Sequence, residues 1–284
     1  MLTDALIEHG GAGAEQVAEH AANSSDPATV FLSLFGHVQA HPIFKFTSAD
    51  GTNIFVITNH TILQLIAFAL AFLIFYNVAR MLGKSNRPKG VFCNMFESVV
   101  LYVRDEMVGK FLSKEHADKL LPLFLTFFIF ILFCNLIGLV PIPGIGGTAT
   151  ANIAVTCALA LITLATMIGG GMMVIGPTKF WTGLVPHGIP AFVIPLMFVI
   201  EVVGLFIKAF ALTIRLFANM VAGHLVILSF FGLVILFKMY SIMIPAVVMA
   251  VFITLLEVLV AFIQAYVFTF LSILFVSMCI QPDH

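Results

Sequence analysis

Residues 195–236 read PLMFVIEVVGLFIKAFALTIRLFANMVAGHLVILSFFGLVIL, about 42 residues with only Glu201, Lys208 and Arg215 charged. A second apolar run, residues 242–280, follows after the short polar stretch Lys238–Ser241. At 1.5 Å per residue each run would make a helix about 60 Å long, twice the roughly 30 Å hydrocarbon core of a bilayer. Each helix must therefore tilt, curve or break. The two are expected to form a long tilted antiparallel hairpin joined at Lys238.

Three further crossings precede this pair. Residues 61–79, 121–140 and about 150–176 are apolar enough to span. Arg80, Lys84, Arg87 and Lys89 end the first of them. Between it and the second, Phe92, Phe96, Val99, Val100, Val103 and Met107 recur at helical spacing among Glu97, Arg104, Asp105 and Glu106. That pattern predicts an amphipathic helix lying on the membrane surface over about 91–112. The expected fold class is all-α integral membrane: five crossings at about 61–79, 121–140, 150–176, 195–236 and 242–280, plus one surface helix. Residues 1–55 are expected to be a polar, partly disordered extracytoplasmic tail, and 56–284 the membrane domain.

Composition agrees. The 284 residues are 61% hydrophobic and 10% charged, against about a quarter charged in soluble chains. A formal net charge of -1 excludes an overall basic chain built for nucleic acid. Eight of the 13 Lys+Arg residues lie between Arg80 and Lys119. The positive-inside rule places that segment in the cytoplasm, the N-terminus outside and, after five crossings, the C-terminus inside. Residues 1–30 lack the basic start and apolar run of a signal segment. The four cysteines (Cys93, Cys134, Cys157, Cys279) are scattered, with no disulfide framework or metal spacing. The nine histidines form no tight ligand cluster, so no metal or other cofactor is expected. Glycines 169–171 lack the Lys-Ser/Thr that a phosphate loop requires; they are expected to serve close helix packing.

The chemistry lies in the last hairpin. Glu201, Lys208, Arg215, His224 and Glu257 sit inside apolar helices, and each ionised group at mid-membrane costs about 2.5–3.5 kcal/mol on insertion scales. Glu201, Lys208 and Arg215 are seven apart and share a helix face; Asn219, one turn beyond Arg215, joins it. His224 looks about 180° away, roughly 13 Å further along. Folding the hairpin about residues 239–240 brings Arg215 level with Gln264, and His224 level with residue 255, near Glu257. Two polar layers result, with Glu201 and Lys208 on the cytoplasmic side of Arg215. A fixed cation between two titratable sets fits two half-pathways divided by a positive barrier. Lys208 also fits a residue that snorkels to the inner surface. The alternative function is a stand-alone ion-coupled membrane transporter, which would show paired interrupted helices and its own substrate pocket.

RLFANMVAGH (215–224) resembles the signature of the F-type ATP synthase subunit a family. NLIGLVPIPG (135–144), TATANIAVT (148–156), HGIPAFVIPLMFVIEVVGLFIKAFAL (187–212) and FIQAYVFTFLSILFVSM (262–278) extend the likeness through most of residues 55–280. The resemblance implies a non-catalytic stator subunit that passes ions, protons by default, to and from a rotating c-ring. It implies that Arg215 faces the ring's carboxylates with Asn219 and Gln264 as polar neighbours. His224 and Glu257 would line the outer half-channel, and Glu201 and Lys208 the inner side. Ala209 stands where many members carry proline. Implied partners are c-ring subunits, peripheral-stalk b subunits, the rest of the synthase and the lipid bilayer, with no nucleic acid and no nucleotide bound by this chain. The acidic N-terminus favours a bacterial inner membrane over a mitochondrial one.

Overall fold

A computed structural model describes residues 42–47, 53–84, 91–140, 149–184, 190, 192–237 and 240–280. The first 41 residues, the stretch 141–148, and Lys238 and Met239, where the hairpin was expected to be joined, lie outside the described residues.

The chain begins with two strands, β1 (Pro42–Thr47) and β2 (Asn53–Thr58), paired antiparallel with register shifts. The expected fold class was all-α, so these two strands are a departure. Its cause is composition: Ile43, Phe44, Phe46, Ile54, Phe55, Val56 and Ile57 are β-branched or aromatic, flanking Asp50-Gly51.

Among the described residues, the regular elements after the two strands are all helices. The helices are α1 (Asn59–Lys84), α2 (Val91–Leu101), α3 (Lys114–Leu139), α4 (Ile153–Ile175), α5 (Pro177–Gly183), α6 (Ile194–Phe237) and α7 (Tyr240–Ile280). Four are long and apolar enough to cross a membrane, over Lys114–Leu139, Ile153–Ile175, Ile194–Val234 and Met243–Ile280. The chain is a multi-pass integral membrane protein. In α1 the apolar stretch His60–Tyr76 is shorter.

The expected surface helix continues from α2 into a π-helical segment, Tyr102–Val108, closed by the Gly109 N–H donating to the Arg104 carbonyl at 2.8 Å. The wider turn brings Val103, Met107 and Val108 to one buried side while Arg104, Asp105 and Glu106 stay exposed. Glu106 pairs with Lys110 on that outer side and raises the lysine's pKa, by hydrogen bond first and charge second. Helix α3 starts earlier than the expected span. Its polar first turns carry the Lys119–Glu115 pair at 2.9 Å, an i,i+4 contact that supports an exposed helix end.

The chain divides into two compact units. The first comprises Met1–Ala69, Phe133–Asn152 and Phe217–Phe262; the second comprises Leu70–Leu132, Ile153–Leu216 and Ile263–His284. The second has a continuous apolar core. Leu205, Ala209, Leu212 and Leu216 line one face of α6, and Ala265, Phe268, Ile273 and Val276 come from α7. They meet Phe124, Phe127 and Ile131 of α3 and Leu159, Ala160, Leu164 and Met167 of α4. Phe127 and Phe268 pack edge to face at 5.8 Å. Inside this core Thr163 donates to the Leu159 carbonyl and lies 3.2 Å from Ser272 Oγ, while the buried Thr269 hydroxyl has no hydrogen-bond partner among the described residues. The expectation for the glycine triplet holds at two of its three positions. A side chain at Gly170 would press on Ile280, and one at Gly171 would strike the Phe180 ring and the Cys279 carbonyl.

Candidate functional site

The ionisable residues of α6 and α7 fall into both units. In the first, Glu257 of α7 is 7% exposed, and neither carboxylate oxygen has a hydrogen-bond partner among the described residues. Burying an unpaired carboxylate costs several kcal/mol or forces it to take up a proton. The helix spacing that allows this burial comes from Gly223. A Cβ there would collide with the Glu257 carboxyl group, whose Cδ lies 2.9 Å from the place it would occupy.

His224, the next residue, is half-buried. Its Nδ1 lies 3.1 Å from the Met220 carbonyl and its Nε2 3.3 Å from the Gly138 carbonyl. Both partners are acceptors. A neutral imidazole donates to one of them and an imidazolium to both. Three residues before Gly138, the fully buried Asn135 accepts a hydrogen bond from Thr150 Oγ1 at 2.8 Å, while its Nδ2 has no partner among the described residues. The first unit therefore holds a buried acid, a half-buried base and a buried amide donor. Of these, the carboxyl and the imidazole are groups that can exchange a proton; the amide can only hydrogen-bond. Asn219 is exposed in the same unit.

In the second unit, Arg215 is exposed and has neither an ion-pair nor a hydrogen-bond partner among the described residues. Its neighbours one turn away on α6 are the exposed Ala211, Ala218 and Asn219, with the half-buried Lys208 two turns back. An ionised side chain deep in a membrane is costly, by about 2.5–3.5 kcal/mol on insertion scales. Gln264 is buried. Glu201 and Lys208 are half-buried. Lys208 Nζ lies 5.6 Å from the centre of the Phe275 ring.

The sequence reading placed Glu257 near His224, and the two flank one contact through Gly223. They do not hydrogen-bond to each other among the described residues. The reading missed Gly223, Asn135, Thr150 and Phe275. Gly223 lies inside the quoted signature, but as a glycine in an apolar helix it carries no charge to draw notice. Asn135 and Thr150 both fall in stretches singled out for their likeness, and their pairing across the loop 141–148 has no local signal.

A family profile described as ATP synthase A chain matches residues 61–277. Among curated relatives, the ATP synthase subunit a of Chloroherpeton thalassium is 42% identical over 232 residues, covering 80% of this chain and 68% of that protein. That of Myxococcus xanthus is 40% identical over 235 residues, covering 83% and 76%. That of Anaeromyxobacter dehalogenans is 45% identical over 214 residues, covering 74% and 54%.

Proposed function

The chain belongs to the ATP synthase A chain family, part of the ion-translocating membrane sector, and from that premise we propose that it is the stator channel that passes protons to and from a rotating ring of carboxylates. An ion arriving from outside passes His224 and Glu257 and neutralises a carboxylate on a neighbouring ring helix. Neutralisation lets that carboxylate turn into lipid, where a bare charge is costly. After nearly a full turn it meets the inner side near Glu201 and Lys208 and releases its proton. Arg215 favours the ionised carboxylate, since a nearby cation lowers a carboxylate's pKa. Its own pKa is too high to relay protons, so it separates the two paths.

The observation that carries this reading is Arg215 itself: exposed, without a partner among the described residues, inside a helix long and apolar enough to cross a membrane. A carboxylate brought by another subunit is the partner that such a site lacks. The contacts of Gly223 with Glu257 and of Lys208 with Phe275 support the antiparallel hairpin of α6 and α7. The first lies one residue from the expected register, the second one turn from it. With α1 as a fifth crossing, the N-terminus lies outside and the C-terminus in the cytoplasm of a bacterial cell. The ring, the peripheral stalk and the bilayer are its partners, and ATP is made on other chains.

The test is ATP-driven acidification in inverted membrane vesicles carrying Arg215→Ala, with passive proton leak measured beside it. Pumping is expected to fall to background in an assembled complex, with leak raised. Normal pumping by an assembled Arg215→Ala complex would sink the proposal and point to a stand-alone transporter.

A further inference from the structure

We propose that Phe275 is a positioning residue for Lys208, fixing its ammonium as a second stationary cation on the inner side of Arg215; this rests on the reading that Arg215 divides two ion paths. Lysine carries its charge on a flexible four-carbon stem and, unlike arginine, has no planar fork to orient it. Something must fix the head if the charge is to act from one place. Among the described residues no carboxylate lies within ion-pair distance of Lys208. The Phe275 ring faces its ammonium, 5.6 Å from Nζ to ring centre, inside the roughly 6 Å range of a cation–π contact.

Both partners are held. The lysine stem leaves α6 beside Leu205, Ala209 and Leu212, which are all buried. Phe275 is partly buried and packs against the core of the second unit, to which its chain neighbour Val276, fully buried, also belongs. The turn of α7 that carries it is tied at two further points. Ser277 Oγ donates to the Phe111 carbonyl at 2.5 Å, and Ile280 rests against Gly170, where an added Cβ would meet it at 3.2 Å. The ring therefore cannot follow a wandering ammonium; the ammonium comes to the ring.

The consequence is electrostatic. Lys208 and Arg215 lie seven residues apart on α6, about 10 Å along the axis. Two cations at fixed places make a graded field for a carboxylate approaching the inner side. A lysine free to swing would spread the same charge over an arc. In this arrangement Lys208 steers ions without carrying protons, and Phe275 acts through it.

The experiment uses the assembled complex in inverted vesicles, with ATP-driven acidification normalised to the amount of assembled subunit. Phe275→Leu removes the ring and is expected to lower pumping about three- to tenfold, the range of a partly desolvated cation–π contact. Phe275→Trp keeps a ring face and is expected to pump as wild type does. Phe275→Met, which keeps volume without a ring, replaces the leucine variant if that one fails to assemble. Combined with Lys208→Gln, the loss of the ring should add nothing, because the charge it positions is gone. If Phe275→Trp falls as far as Phe275→Leu, or the effects at 208 and 275 simply multiply, the inference is overturned and Phe275 is packing only. Arg215→Ala, run in parallel, separates the two failures: normal pumping there removes the two-path reading itself, whereas its loss with no rescue by tryptophan removes only the role of Phe275.

Discussion

Gly223 and Gly171 mark two regions of the molecule that use the same absent methyl group for opposite ends. At Gly171, in the second unit, the space is filled by the Phe180 ring and by the Cys279 backbone carbonyl, so the gap joins apolar helices. At Gly223, in the first unit, it is filled by the carboxyl group of Glu257. One glycine serves the packing of apolar helices. The other admits a buried acid whose oxygens have no hydrogen-bond partner among the described residues. Close helix approach is thus a neutral device, and what fills the gap decides whether it stabilises the fold or exposes chemistry.

The sharpest way to break this comparison is to add the methyl group at both places. Gly223→Ala should displace the Glu257 carboxylate. Proton pumping is expected to drop roughly tenfold to a hundredfold, the scale of an ångström's misplacement of a reacting group. Subunit abundance in the membrane should change little, because a carboxylate at the end of a flexible side chain can move aside. Glu257→Asp in that background shortens the acid and is expected to restore part of the rate. Wild-type pumping by Gly223→Ala would mean that this helix contact does not place the acid.

Gly171→Ala sharpens the contrast from the other side. The obstructing carbonyl of Cys279, 2.9 Å from the added carbon, belongs to backbone and cannot step away. Overpacking of about 1–3 kcal/mol is expected. It should be read as lower abundance of assembled subunit after extraction or mild heating, with pumping per assembled complex unchanged. A loss of pumping per complex without loss of abundance would erase the difference between the two glycines.

The smallest effect is expected outside both contacts. Glu115→Gln breaks the exposed pair with Lys119, and surface ion pairs contribute little. Neither abundance nor pumping should move beyond measurement error. A clear effect there would mean that the charged start of α3 contacts a partner.

The sequence was most informative where one residue type acts alone. Apolar runs placed α4, α6 and α7 to within a few residues, because hydropathy over some twenty positions is a local sum. Arg215, His224 and Glu257 stood out because charge in an apolar run is costly wherever it lies. The polar opening of α3 was less legible: Lys114 to Lys119 look like loop until their i,i+4 pairing is seen. The π-helical turn at Tyr102–Val108 was hidden because Val103 and Met107 fit an ordinary α-helical period. Only the burial of Val108 beside them required the wider turn.

By itself, then, the sequence determined a membrane protein with two overlong helices, the charged residues within them, and the family it resembles. These follow from composition and spacing along one chain. Tertiary structure alone decided which groups touch: Glu257 against Gly223, Lys208 over Phe275, Asn135 with Thr150, His224 beside the Gly138 carbonyl. The physical reason is one of range. Insertion into lipid sums over neighbours in sequence, whereas a hydrogen bond or a ring contact depends on ångström distances between residues far apart in the chain.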